Sequence, residues 1–111
     1  RSDRLPVMIE VNIDSEPSKS GVIPSQARAL AEGVAEFSKQ LELRGLMCIP
    51  EPGTDERPPQ RAFARLRELE AQCRPFTGGA LSMGMSSDFE AALHEGATHV
   101  RVGTALFGSR T

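Results

Sequence analysis

Leu81-Ser82-Met83-Gly84-Met85-Ser86-Ser87-Asp88 runs from a short apolar stretch through a glycine into residues that start a helix. The pattern returns within twenty residues, where Val100-Arg101-Val102-Gly103-Thr104 leads into Ala105-Leu106-Phe107-Gly108. Each passage reads as a strand, a glycine turn and a helix N-terminus. Two of them in succession are the rhythm of a parallel sheet whose strands are joined by crossover helices.

The rest of the chain keeps that rhythm. Upstream, Val7–Ile13 is β-branched and reads as a strand, with Glu10 and Asn12 opposite Ile9, Val11 and Ile13. After a polar loop over 14–21, Pro24 opens a helix with apolar or small residues at Ala27, Leu30, Ala31, Val34, Ala35 and Phe37. A second strand is expected over Leu43–Ile49, stopped by Pro50 and Pro52, and a Pro- and charge-rich loop follows. The next helix is expected over 60–72, with Phe63, Leu66 and Leu69 as its core stripe and Glu68 and Glu70 toward solvent. A third strand is expected over 80–83. Ser87 and Glu90 have capping-box spacing ahead of Phe89, Ala92 and Leu93, and Gly96 ends that helix. The fourth strand is expected over 99–103, with a last helical turn over 105–108. The pattern is β-α-β-α-β-α-β-α. It fits an open doubly wound sheet or half of an eight-stranded barrel, and the pattern alone does not choose.

Composition narrows the function classes. The chain has 111 residues, with 13 Lys+Arg against 15 Asp+Glu and a formal net charge of −2. That balance gives no electrostatic reason to expect nucleic acid or an anionic membrane as partner. No apolar stretch approaches the ~20 residues needed to cross a bilayer. Two cysteines, Cys48 and Cys73, make no disulfide framework, and neither has a His or second Cys at metal-ligand spacing. No metal site is expected. A reducing, cytoplasmic setting is. The abrupt opening, Arg1-Ser2-Asp3-Arg4 just before a strand, suggests a fragment.

Chemistry concentrates in the C-terminal third. Unpaired backbone N–H groups at the two helix starts favour an anion, and Ser82 and Ser86 add hydroxyl donors. Gly103 admits close approach to the backbone, and Thr104 brings an N–H and a hydroxyl. Together these form a phosphate cup, or else ordinary turn glycines and helix caps. Alternation puts Arg101 on the same strand face as Gly103. A buried arginine needs a partner, either a strand carboxylate such as Glu10 or an acceptor on a ligand ring. Lys19, in the loop after the first strand, is a solvated lysine or a ligand contact, and the polar loop favours the former. Lys39, at the far end of a helix, faces away from that site. The charged run Arg57, Arg61, Arg65, Arg67, Glu68, Glu70 reads as a solvated face.

At Val11-Asn12-Ile13 with Lys19-Ser20-Gly21, at Leu43–Pro50, at Leu81–Ala92 and at Val100–Gly108 the chain resembles the C-terminal half of the pyridoxal phosphate homeostasis proteins. That is the YggS/PROSC family, related to the barrel domain of alanine racemase. The likeness covers nearly the whole chain, and its last two motifs are specific together. It implies the following. The fold class is α/β, about four βα units forming the C-terminal half of a TIM barrel, fold-type III. Residues 1–111 would be one partial domain, strands five to eight. The cofactor would be pyridoxal 5′-phosphate (PLP), its phosphate held by Ser86, Gly103 and Thr104, with Ser82 and Met85 close by. Arg101 would face the pyridine nitrogen. A guanidinium stays protonated and so keeps that nitrogen unprotonated, which weakens the cofactor as an electron sink.

The family's Schiff-base lysine lies on the first barrel strand, and neither Lys19 nor Lys39 matches it. The resemblance therefore implies PLP homeostasis without robust catalysis, with no catalytic residue in this chain. The alternatives are a PLP-dependent alanine racemase, which would want a tyrosine that the chain lacks, and a phosphosugar-binding barrel enzyme, for which only Glu10 and Asn12 are candidate strand-end catalysts. The expected partners are PLP and either the N-terminal half of the barrel or a second copy, because four barrel strands leave two open edges.

Overall fold

The structure is a computed structural model that describes residues 4–15, 20–49, 58–85 and 88–100. Three strands, β1 (Leu5–Glu10), β2 (Leu41–Met47) and β3 (Ala80–Ser82), alternate with α1 (Pro24–Ala35), α2 (Pro59–Gln72) and α3 (Phe89–His94). The sheet is parallel and its order is β1-β2-β3. The chain returns a fourth time beside β3, where His99 bridges Ser82 in parallel and Met83 N–H donates to the His99 carbonyl at 3.0 Å. Most of the expected fourth strand, and the last helical turn, lie outside the described residues.

Register explains the two faces. Ile9, Leu46 and Leu81 are paired neighbours in one row, and all three are buried. Val11, Cys48 and Met83, two positions further along, are buried as well. Alternation gives these six one face, where they join Phe63, Leu66 and Ala27 in the core. The helices cover it: α1 packs on β1, β2 and α2, and α2 packs on β2, β3 and α3. Fully burying side chains such as Leu46 and Phe63 contributes about 1.5–3 kcal/mol each. The other face carries Met8, Glu10, Met47, Ala80 and Ser82, all half-buried.

Two glycines are dictated by contact. Gly45 lies where β2 meets β3, and a Cβ there would sit 1.8 Å from the Ala80 carbonyl oxygen. Gly21 has φ +105°, and its Cβ would come within 2.9 Å of both the Asn12 nitrogen and the Glu10 oxygen. That close return lets Val22 N–H donate to the Glu10 carbonyl (2.9 Å) and Asn12 N–H to the Val22 carbonyl (2.8 Å).

Several expectations need correction. The first strand covers Leu5–Glu10 and the second Leu41–Met47, both displaced toward the N-terminus. In α1 only Ala27 and Ala31 are buried, while Leu30 and Phe37 are exposed. Leu93 is exposed too, so Ala92 is the buried anchor of α3. Glu70, expected in solvent, is 3% exposed. It accepts from Arg74 Nε (2.9 and 3.2 Å) and Nη2 (3.0 Å), and from the Thr77 hydroxyl. This carboxylate organises the turn from α2 into β3. Arg67 does not stand alone on a solvated face either, because it pairs with Glu95 beyond α3 at 3.0 Å.

Candidate functional site

The candidate site follows from strand direction. In a parallel sheet the carboxyl ends of all strands lie together, and ligands bind there. Lys39, in the turn that leads into β2, is at the opposite end, as expected. On the face away from the described helices Glu10, Met47, Ser82 and His99 form one row across four neighbouring segments, by direct pairing of β1 with β2, β2 with β3 and Ser82 with His99. Ser82 is thus a half-buried hydroxyl on the open face, near the end of its strand. Val100 packs against the core, so His99 and Val100 take opposite faces.

Beside Glu10 lies an open cavity of about 190 Å³, lined by Glu10, Val11, Asn12, Ser20 and Ile49. Asn12 is 6% exposed. This is a polar concavity at strand ends, smaller than the ~300–1,000 Å³ of a complete small-molecule pocket. It has the dimensions of one wall of such a site. Sequence reasoning weighed Glu10 as a catalyst or as a partner for Arg101 and Asn12 as a catalyst, and did not give Ser20 a site role. The signal was Ser20-Gly21, since the left-handed glycine is what folds the loop back against Glu10 and Asn12.

After β3, Gly84 is buried with φ +101° and turns the chain toward α3. Met85, expected near the phosphate, is 44% exposed. Its N–H donates to Asp88 Oδ1 at 2.7 Å, and Asp88 N–H donates to the Met85 carbonyl at 3.0 Å. Asp88 occupies the N-cap position of α3 but makes no side-chain bond to the helix; its carboxylate instead reaches back three residues to Met85, and Ser87 of the expected capping box lies outside the described residues. The Met85 N–H is already used, so this residue would serve the site through its position. Of the residues expected to bind phosphate and ring, Ser82 and Met85 are described. Ser86, Arg101, Gly103 and Thr104 lie outside the described residues, as does Lys19. Among the described residues no three of His, Cys, Asp and Glu converge as a metal set, and no helix is long and apolar enough to cross a membrane.

Comparisons with known proteins agree on one relationship. The pyridoxal phosphate homeostasis protein of Pseudomonas aeruginosa is 53% identical over 106 residues, covering 96% of this chain and 45% of that protein. The Escherichia coli protein of the same name is 42% identical over 115 residues, covering 96% and 46%. Among solved structures, PipY of Synechococcus elongatus without PLP superposes with a TM-score of 0.82 at 36% identity, covering 95% of this chain and 50% of PipY. PipY with PLP bound gives 0.76 at 33% identity, covering 93% and 49%. The chain spans about half the length of the relatives it matches. The family model described as "Alanine racemase, N-terminal domain" matches residues 1–111, and the chain belongs to that family.

Proposed function

We propose that this chain is strands five to eight of a PLP-binding barrel, and that the protein it forms binds PLP in intracellular cofactor homeostasis. The observation that carries the reading is the likeness to PLP-bound PipY, 33% identical over 93% of the chain. The fold supports the barrel form. Parallel strands in sequential order with packed helices along one face suit a barrel wall, whereas a doubly wound sheet reverses its order and carries helices on both faces. The half-buried opposite face would then be barrel interior.

The described residues fit one side of such a site. Ser82 supplies a hydroxyl on the interior face, Gly84 gives a buried left-handed turn next to it, and Asp88 fixes the loop by holding Met85. Ser86, Gly103 and Thr104 would hold the phosphate. By the resemblance, the Arg101 guanidinium would donate to the pyridine nitrogen. PLP, when bound, supplies an aldehyde and an electron-withdrawing ring; Arg101 would moderate the ring by keeping its nitrogen unprotonated. This chain brings no tyrosine that could act as a racemase's second base. A cytoplasmic setting accords with two buried cysteines that form no disulfide.

The test is PLP titration of the chain joined to the remaining half of a relative, followed by visible absorbance and borohydride reduction. A visible band that borohydride bleaches, leaving PLP covalently attached, only when both halves are present supports the reading. Turnover of L-alanine to D-alanine would replace it with a racemase.

A further inference from the structure

At the amino ends of the strands, opposite the candidate site, the turns that enter β2 and β3 stand apart. Between them lies an open cavity of about 350 Å³, within the ~300–1,000 Å³ of small-molecule sites. The first turn leaves α1. It is closed by Phe37 N–H donating to the Val34 carbonyl (2.9 Å) and Leu41 N–H to the Phe37 carbonyl (2.8 Å). The second leaves α2. It is pinned by the Thr77 hydroxyl on Glu70 and by Gly78 N–H donating to the Leu43 carbonyl at 3.0 Å. Hydrogen bonds hold both walls, so the fold itself keeps the space between them.

The lining combines apolar surface with a cation. Val34 and Phe76 are half-buried; they pack against the core and also line the cavity. Buried Leu43 and half-buried Ala35 add to the apolar wall. Arg4 lines the same cavity, and its Nη2 donates to the Leu41 carbonyl at 3.3 Å, which anchors the guanidinium where β2 begins. Ser38, exposed in the turn after α1, brings a hydroxyl. Of the described lining residues only Glu42 is acidic, and its carboxylate reaches Arg44 at 3.4 Å. That pairing offsets the Glu42 charge and leaves Arg4 to set the sign of the cavity.

We propose that this cavity is a second ligand site, for a small aliphatic carboxylate, with the carboxylate on Arg4 and the tail against Val34, Leu43 and Phe76. A guanidinium presents paired N–H donors that match a carboxylate, and it stays charged at any physiological pH. The Ser38 hydroxyl adds a donor. Covering the apolar wall with a short tail removes both from water. The site uses no residue of the candidate cofactor site. It is built by two turns of this chain, so it holds whether or not the chain belongs to a closed barrel.

The test titrates hexanoate into the isotope-labelled chain, alone and joined to the remaining half of a relative, and follows the amides by NMR. Shifts at Leu43, Thr77 and Gly78 are expected to saturate with a dissociation constant of about 1 mM, the range for a ligand of few atoms. Hexanamide, which keeps the tail and loses the charge, is expected to bind about tenfold more weakly. Arg4→Gln is expected to weaken hexanoate by a similar factor, and Arg4→Lys to restore part of the loss. Ala35→Leu fills the cavity, and is expected to abolish binding while the melting temperature stays unchanged or rises. Equal affinity for hexanoate and hexanamide, or binding that survives both Arg4→Gln and Ala35→Leu, overturns the proposal. Tighter binding of hexylammonium overturns it by assigning the selection to Glu42. So does a lack of saturation by about 20 mM in both forms. Shifts centred on Ser82 and Gly84 put the ligand at the other end of the sheet and overturn it. Binding by the 111-residue chain that is lost in the joined form means that the rest of the protein fills the cavity, which also overturns it. A chain without dispersed amide signals in either form lacks the cavity, with the same result.

Discussion

Thr77→Val isolates the bond that ties the turn before β3 to α2. The Thr77 hydroxyl donates to the Glu70 carboxylate and weakly accepts from Gly79 N–H at 3.3 Å. Thr77 is 9% exposed and Glu70 3%, so water cannot replace the donor easily. Valine keeps the shape and removes only the hydroxyl. A hydrogen bond to a charged acceptor is worth about 1.5–3 kcal/mol, so urea unfolding at pH 7 should show a loss of about 2 kcal/mol. The loss should also depend on pH. Burial alone would raise the Glu70 pKa, but the hydrogen bonds from Arg74 and Thr77, and the Arg74 charge, outweigh it and hold the carboxyl below its ordinary 4.5. A depressed folded pKa contributes stability that is full above 4.5 and is lost as pH falls through the folded value. Removing the Thr77 donor weakens that depression. The gap between wild type and variant should therefore be constant above about pH 5.5 and narrow as pH falls below 4.5. A loss under about 0.5 kcal/mol at pH 7, or a gap that does not narrow in acid, would refute the reasoning.

Gly45→Ala should unfold the chain or cost more than about 3 kcal/mol, because backbone must move to relieve the Cβ contact with the Ala80 carbonyl; circular dichroism and urea midpoints check this. Gly21→Ala should cost about 1–3 kcal/mol from the left-handed backbone and its close contacts, with faster amide exchange at Asn12 and Val22. Asp88→Ala should cost about 1 kcal/mol by freeing the Met85 N–H, and an NMR temperature series should show that amide losing its hydrogen bond. Arg101→Met in the full-length form should change the absorbance spectrum of bound PLP; an unchanged spectrum would make Arg101 a structural residue.

The element order was legible in the sequence because β2 and β3 run soon into Pro50 and Gly84 and because α1 and α2 carry recurring apolar positions. Phe63, Leu66 and Leu69 were read as core, and they are. Glu70 was not readable as buried, because its partners Arg74 and Thr77 come from a turn whose path periodicity cannot supply. Leu30 and Phe37 were misplaced for a related reason. Periodicity finds the apolar positions of α1, but it cannot tell the flank facing the sheet from the exposed one. The choice between barrel and doubly wound sheet depended on strand order, which composition does not encode. At the site, the residues that carry the family likeness were legible, while the Met85–Asp88 pairing was hidden by a competing Ser87–Glu90 spacing.

The second strand shows how one residue sets the functional face. Val7 pairs with Leu43, but Met8 pairs with Gly45, so Arg44 is an extra residue bulged out of β2. Val7 and Ile9 share a face at a spacing of two, yet their partners Leu43 and Leu46 are three apart. Simple alternation from Leu43 would send Leu46 and Cys48 to the open side and Met47 into the helices, inverting the row that holds Glu10 and Ser82. The bulge restores the parity. It keeps both fully buried side chains, Leu46 and Cys48, under the helices, and Met47 beside Glu10 and Ser82. Arg44 suits the extra position because its exposed side chain reaches solvent and Glu42 at 3.4 Å, while its backbone lies against Gly78. Deleting Arg44 should therefore regularise β2 rather than invert it: Leu43, Gly45 and Leu46 become consecutive and alternate in, out, in against Val7, Met8 and Ile9, so Leu46 and Cys48 stay under the helices and Met47 stays beside Glu10 and Ser82. Pairing β2 without the bulge while Arg44 is retained is what would turn Leu46 and Cys48 outward. The deletion variant should keep Cys48 protected from a thiol reagent, and rapid labelling of Cys48 in a variant that still melts cooperatively would refute the argument.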